Sequence, residues 1–170
     1  KIDVATVTQR GIVLANLPDF CVEEQADHAF ALLLAVARKL NEMRHCTLAG
    51  RYHEGRQQSR SLRRLPGRTL GLVGFGGSAR AMARRATGFG MRTLATRRNM
   101  AAVDPEAESL GVQMVSLEQL LAESDFVSLH LPLNDQTRHL LDKPALLKMK
   151  AGSVLINTAR GAIVDEDALA

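Results

Sequence analysis

Two short stretches carry residue types able to do chemistry on a charged ligand. Gly74-Phe75-Gly76-Gly77-Ser78-Ala79 follows the apolar run Thr69-Leu70-Gly71-Leu72-Val73 and precedes a helix-forming run, so it reads as a strand–turn–helix junction. Gly74 suits the tight turn. Gly76 lets the backbone approach a pyrophosphate with no Cβ in the way, and Ala79, where a third glycine often sits, still allows close helix–strand packing. The free N–H groups and positive end of the following helix favour phosphate there. The second stretch, Asn157-Thr158-Ala159-Arg160-Gly161, sets a guanidinium after a strand. Parallel sheets bind ligands at that end, and a planar cation there suits an anionic one. Taken singly, the first is also compatible with an unliganded turn and the second with a surface arginine.

The elements that must position these residues alternate. The pattern predicts a short helix over 4–10 capped by Asp3, a short strand at 12–14 and a turn at 16–19. A long helix then opens at Val22 with acids in its first turn, keeps an apolar stripe through Ala26, Ala29, Phe30 and Leu33, and ends before Gly50. Residues 50–67 read as an exposed, Arg-rich connection. Beyond it come strands at 69–73, 92–96, 112–115, 125–131 and 153–157. Helices are predicted over 77–89, 105–110, 117–122 and 143–149, with another starting at Asp165. Unbroken apolar strands alternating with helices imply an α/β fold: a doubly wound, Rossmann-type parallel sheet with helices on both faces.

Composition sets outer bounds. The chain has 170 residues, 46% hydrophobic, 24% charged and 4% aromatic, enough to bury one core and exclude wholesale disorder. No apolar run is long enough to cross a bilayer, so no membrane partner is expected. The two cysteines, Cys21 and Cys46, form no ligand pattern, so no metal site and no disulfide framework are expected, as in a cytoplasmic protein. The net charge of +4 hides a basic middle: 15 Lys/Arg against Glu42 and Glu54 between Arg38 and Arg98. Such a segment attracts phosphate. Nucleic acid is disfavoured because stacking aromatics are scarce, and a phosphorylated small molecule is preferred.

The end of the second strand bears on which dinucleotide would fit. An Asp or Glu about 20 residues past the glycines usually holds the ribose 2′-OH of NAD. Here Thr96 is followed by Arg97 and Arg98, and no acid comes before Asp104. A guanidinium pairs with a 2′-phosphate that an acid would repel, so NADP is expected in preference to NAD.

Gly67-Arg68-Thr69-Leu70-Gly71-Leu72-Val73-Gly74-Phe75-Gly76, Asp125-Phe126-Val127-Ser128-Leu129-His130-Leu131-Pro132-Leu133 and Asn157-Thr158-Ala159-Arg160-Gly161 with Val164-Asp165 together resemble the cofactor-binding domain of D-isomer-specific 2-hydroxyacid dehydrogenases. The resemblance runs along nearly the whole chain. It implies that Gly77 and Ser78 meet the pyrophosphate and that Arg97 stands where NAD-dependent members carry an Asp. Leu131 and Pro132 match the turn beside the adenosine ribose, and Thr137 a further cofactor contact. Thr158, Ala159 and Arg160 match the strand end near the nicotinamide. Arg160 matches the catalytic arginine, which binds the substrate carboxylate and polarises its carbonyl.

The resemblance further implies that residues 1–14 end a substrate-binding domain and that 15–67 form an inter-domain helix and loop. Residues 68–170 would be the dinucleotide-binding domain, C-terminally incomplete. The family's acid/base His and its Glu would lie outside the chain, a fragment by this comparison, and His130 would shape the cofactor pocket instead. The expected parent is an NADP-dependent reductase of a small 2-oxo acid such as glyoxylate or hydroxypyruvate, homodimeric through the long helix. The alternative is a nucleotide-binding module without its own acid/base residues.

Overall fold

The computed structural model describes residues 2–17, 19–100 and 102–170. Five strands, β1 (Thr69–Val73), β2 (Arg92–Thr96), β3 (Gln113–Met114), β4 (Phe126–Leu129) and β5 (Val154–Asn157), form one sheet in the order β3-β2-β1-β4-β5. All its pairings are parallel. Strand order reverses between β1 and β4, which places the crevice of a doubly wound sheet beyond their C-terminal ends.

Side chains alternate between two cores, as strand geometry requires. On one face Leu70, Leu72, Ala95, Phe126 and Ile156 pack under α2 (Val22–Ala37) and α5 (Gly77–Gly88). On the other, Val73, Leu94, Val127 and Leu129 pack under α7 (Leu117–Glu123) and α8 (Lys143–Leu147). The expected two-faced α/β sandwich is therefore present. Gly71 shows how tightly α7 seats on β1: a Cβ there would lie 2.2 Å from Ser124 Oγ and 2.6 Å from Leu120.

Caps set several boundaries. Asp3 accepts from the Thr6 amide at the start of α1 (Val4–Gln9). Asp104 does the same for Ala107 at the start of α6 (Pro105–Ser109). Ser116 caps α7 through the Gln119 amide, but Gln119 turns its own side chain to Glu123, so only half of a capping box forms. A short turn of 3-10 helix (Gly161–Ile163) and α9 (Glu166–Leu169) follow β5.

Three expectations change. Residues 12–14 form no strand: Val13 is 92% exposed and no described strand lies alongside to complete a ladder. The long helix is two, α2 and α3 (Leu40–Leu48), broken where Lys39 adopts a left-handed conformation (φ 51°). The apolar stripe runs out at that point, since Cys46 is the only buried residue of α3. The polar 50–67 connection contains α4 (Tyr52–Ser59), which Gly55 lets approach α3 closely: a Cβ on it would stand 3.3 Å from Cys46 Cβ. The anticipated turn at 16–19 includes Pro18, which lies outside the described residues, as do Lys1 and Ala101.

Candidate cofactor and substrate cleft

The turn after β1 is built around Gly74. Its φ is +92°, and a Cβ would meet the His130 carbonyl oxygen at 2.5 Å, so the chain following β4 passes directly against this turn. Gly76 is different. Its backbone is extended, and a Cβ would meet no protein atom within 4 Å. Protein packing does not demand a glycine there; it leaves an open cradle at the start of α5, where free amides face outward.

A cleft of about 540 Å³ opens from this cradle, lined by Gly76, Gly77 and Ser78 on one side, His130, Leu131 and Pro132 on the second, and Ala159 and Arg160 on the third. A smaller cavity of about 230 Å³ shares Leu131 with it and is lined by Gly74, Thr96, Arg97, Arg98 and Thr137. Thus twelve of the thirteen residues singled out in the sequence gather in two neighbouring hollows at the sheet's C-terminal edge. The exception is Thr158: its hydroxyl is buried without a partner among the described residues, and its carbonyl accepts from Gln25 Nε2 of α2 at 3.4 Å.

Arg160 is held by its backbone. Asn157 Oδ1 accepts from the Ala159 amide at 3.0 Å and Asn157 Nδ2 donates to the Arg160 carbonyl at 2.9 Å, stapling the turn after β5. The guanidinium is exposed and, among the described residues, has no carboxylate partner; it donates only to the Ala159 carbonyl. Free donors of a planar fork therefore face the cleft.

Both ring nitrogens of His130 are engaged by serines. Its Nδ1 lies 3.1 Å from Ser78 Oγ and its Nε2 2.9 Å from Ser128 Oγ. Burial pushes its pKa down to about 4, so the ring is neutral at pH 7 and ties β4 to the first turn of α5. Because the folded pKa lies below the unfolded value near 6.5, the neutral ring's contribution is complete above pH 6.5 and fades as pH falls towards 4. Urea unfolding is expected to show about 2 kcal/mol of lost stability between pH 7 and pH 5, which His130→Asn should flatten. Identical slopes for both proteins would refute the assignment.

At the smaller cavity the two arginines differ. Arg97 Nη1 donates to Asp104 at 2.7 Å and its Nη2 to the Ala102 carbonyl. Arg80 grips the same carboxylate with two bonds of 2.7 Å. These Arg80 hydrogen bonds, above all, hold Asp104 well below the usual carboxylate range against the opposing effect of burial. Arg98 is freer, with Gln136 Oε1 at 3.5 Å from its Nη1. The sequence singled out neither Gln25 nor Gln136. Gln25 had a weak signal in helical spacing toward the cleft end of α2; Gln136 had none.

A doubly wound sheet with a glycine cradle at its switch point defines a dinucleotide-binding domain, and here a free arginine stands across the cleft. The family model "D-isomer specific 2-hydroxyacid dehydrogenase, NAD binding domain" matches residues 30–170, and the chain belongs to that family. It is 46% identical to a glyoxylate reductase of Korarchaeum cryptofilum over 99% of its length and 51% of that protein. A glyoxylate reductase structure from Paecilomyes thermophila matches with a TM-score of 0.85 and 40% identity, over 99% of this chain and 49% of that one. The apo D-mandelate dehydrogenase of Rhodotorula graminis matches with a TM-score of 0.89 and 31% identity, over 99% and 50%. The chain spans about half the length of the curated relatives it matches. Among the described residues no helix is long and apolar enough to cross a membrane, and no cluster has the makings of a metal site.

Proposed function

We propose that the chain is the cofactor half of an NADP-dependent reductase. The reaction interconverts a small 2-oxo acid and its D-2-hydroxy acid, with glyoxylate or hydroxypyruvate the leading substrates. The observation that carries this reading is Arg160, unpaired and facing the cleft that the glycine cradle opens. The residues present fit a nicotinamide dinucleotide: the cradle at Gly76 is open, with no described protein atom within 4 Å of where a Cβ would stand. When bound, such a cofactor supplies a hydride.

The chain's own residues then divide the work. Gly76, Gly77 and Ser78 present amides to the pyrophosphate. Leu131 and Pro132 wall the passage to the adenosine side, where Thr96, Arg97, Arg98 and Thr137 line the smaller cavity. Ala159 borders the nicotinamide end, with Thr158 next to it in the chain. Arg160 binds the substrate carboxylate and draws charge onto the carbonyl oxygen as hydride arrives. No imidazole of the described cleft is free to protonate that oxygen, which supports the narrower reading that the 170-residue chain binds nucleotide without turning substrate over. The relatives' names support the substrate class. Exposed Leu32, Val36, Leu40 and Leu48 on α2 and α3 support a homodimer, and the setting proposed is cytoplasmic.

The preference for NADP rests on charge. The carboxylate bonded to Arg97, that of Asp104, is shared with Arg80, while Arg98 remains at the cavity with only Gln136 Oε1 at 3.5 Å among the described residues. Fluorescence titration of the chain is expected to give tighter binding of NADPH than of NADH. Arg98→Ala is expected to weaken NADPH about tenfold and leave NADH unchanged, as removal of one charge-assisted contact should. Equal affinities in the unsubstituted chain would remove the NADP reading, and failure to bind either would remove the cofactor reading.

A further inference from the structure

The basic middle of the sequence has two fates in the fold. Of its fifteen cations, Arg51, Arg68, Arg80, Arg84, Arg85, Arg92 and Arg97 are spent on ion pairs. Seven of the remaining eight lie between residues 38 and 64, where Glu42 is the only acid not already paired. Charge left unpaired by the fold is charge available to a ligand.

Part of this surplus converges on a cavity of about 270 Å³ at the N-terminal edge of the sheet, opposite the glycine cradle. Lys39, Arg63, Arg68 and Lys150 line it. Asp125 is its one carboxylate, and that carboxylate is already committed. It accepts from Lys150 Nζ at 2.7 Å and from the Thr69 amide at 2.9 Å, and Arg68 lies at 3.3 Å. Arg68 is fixed by stacking over the Phe126 ring, 4.5 Å from its centroid.

Lys39 and Arg63 are therefore in excess. Lys39 is aimed across the cavity: the left-handed turn that splits α2 from α3 carries it, and its Nζ donates to Ser61 Oγ at 2.9 Å. Arg63 has no ion-pair or hydrogen-bond partner among the described residues, which leaves its five donors open. The carbonyl end of α2 also faces this region, but it brings only about half a negative charge. Four cations against Asp125 and a helix end leave the hollow strongly positive.

We propose that this cavity is an anion site, separate from the cofactor cleft, for a small molecule bearing two or more negative charges on phosphate or carboxylate oxygens. Lys39 and Arg63 contact it, and Arg68 and Lys150 close the floor.

The test is calorimetric titration of the 170-residue chain with inorganic pyrophosphate and with citrate, run with excess NADPH and repeated on Gly76→Ala so that binding at the glycine cradle is told apart. Saturable one-site binding of at least one anion is expected, unaffected by Gly76→Ala. The pair Lys39→Asn and Arg63→Gln is expected to weaken it by about tenfold or more. Asn is chosen because it tolerates the left-handed conformation. NADPH binding and the melting curve of the pair should match the parent. Preference for pyrophosphate or for citrate identifies the ligand's acid group. Absence of saturable binding, an affinity unchanged in the pair, or binding lost in Gly76→Ala would each overturn the proposal.

Discussion

Alanine at Gly76 is expected to leave the fold standing and to weaken dinucleotide binding about 10–100-fold. The added methyl meets no protein atom within 4 Å, and the backbone there is extended, open to any residue. Alanine is a poorer helix cap than glycine by a few tenths of a kcal/mol or more, but it also narrows the unfolded ensemble by about 0.4–1 kcal/mol, so the two nearly cancel. On the ligand side, the methyl fills the space through which a phosphate reaches the first amides of α5. Loss of one charge-assisted bond costs about 1.5–3 kcal/mol, which sets the expected loss of affinity. Gly74→Ala is the counter-case. Its φ of +92° strains any side chain, and the Cβ would sit 2.5 Å from a backbone oxygen, so about 2 kcal/mol or more of stability should go. Thermal melts with nicotinamide fluorescence titrations separate the two effects. Unchanged NADPH affinity in Gly76→Ala would remove the cradle, and an unchanged melt in Gly74→Ala would remove the packing argument.

What was legible in the sequence follows from which forces are local. Strand β1 matches its expected bounds because it is a short run buried from end to end between turn glycines, with little freedom of register. The glycine loop was legible because φ above zero and a vacant Cβ position are properties of one residue type. The break at Lys39 was not, because no glycine or proline marks it; a left-handed lysine is stable only where tertiary packing pays for it. Helix α4 was hidden by its polar composition, since its one buried residue is Gly55, which has no side chain to contribute to a periodic pattern. The site showed the same division. The positions of Arg97 and Arg98 were visible, but their different surroundings were not, because Asp104 and Arg80 come from a loop and a helix that only the fold brings together.

That clamp yields the second large effect. Asp104→Asn is expected to cost about 2 kcal/mol at pH 7, less than the roughly 3–5 kcal/mol of a deeply buried pair, because Arg80 and Glu106 beside it are partly exposed. The carboxylate accepts two bonds from Arg80, one from Arg97 and one from the Ala107 amide. An amide offers a single acceptor oxygen and no charge, so the two guanidinium groups would compete for one acceptor with only Glu106 left to offset Arg80. The folded pKa of Asp104 is depressed below its ordinary value near 3.9. Its contribution is therefore complete above about pH 4 and is lost as pH falls further, so the gap between parent and variant should narrow in acid. Urea unfolding of both proteins at pH 7 and pH 3 checks the size and the sign; equal midpoints at pH 7 would show that the clamp carries no stability. Arg97→Ala keeps the paired bonds of Arg80 and should cost less, about 1 kcal/mol. Because the clamp also fixes Arg97 in the wall of the smaller cavity, Asp104→Asn should lose stability and NADPH selectivity together, whereas Arg98→Ala should lose selectivity alone.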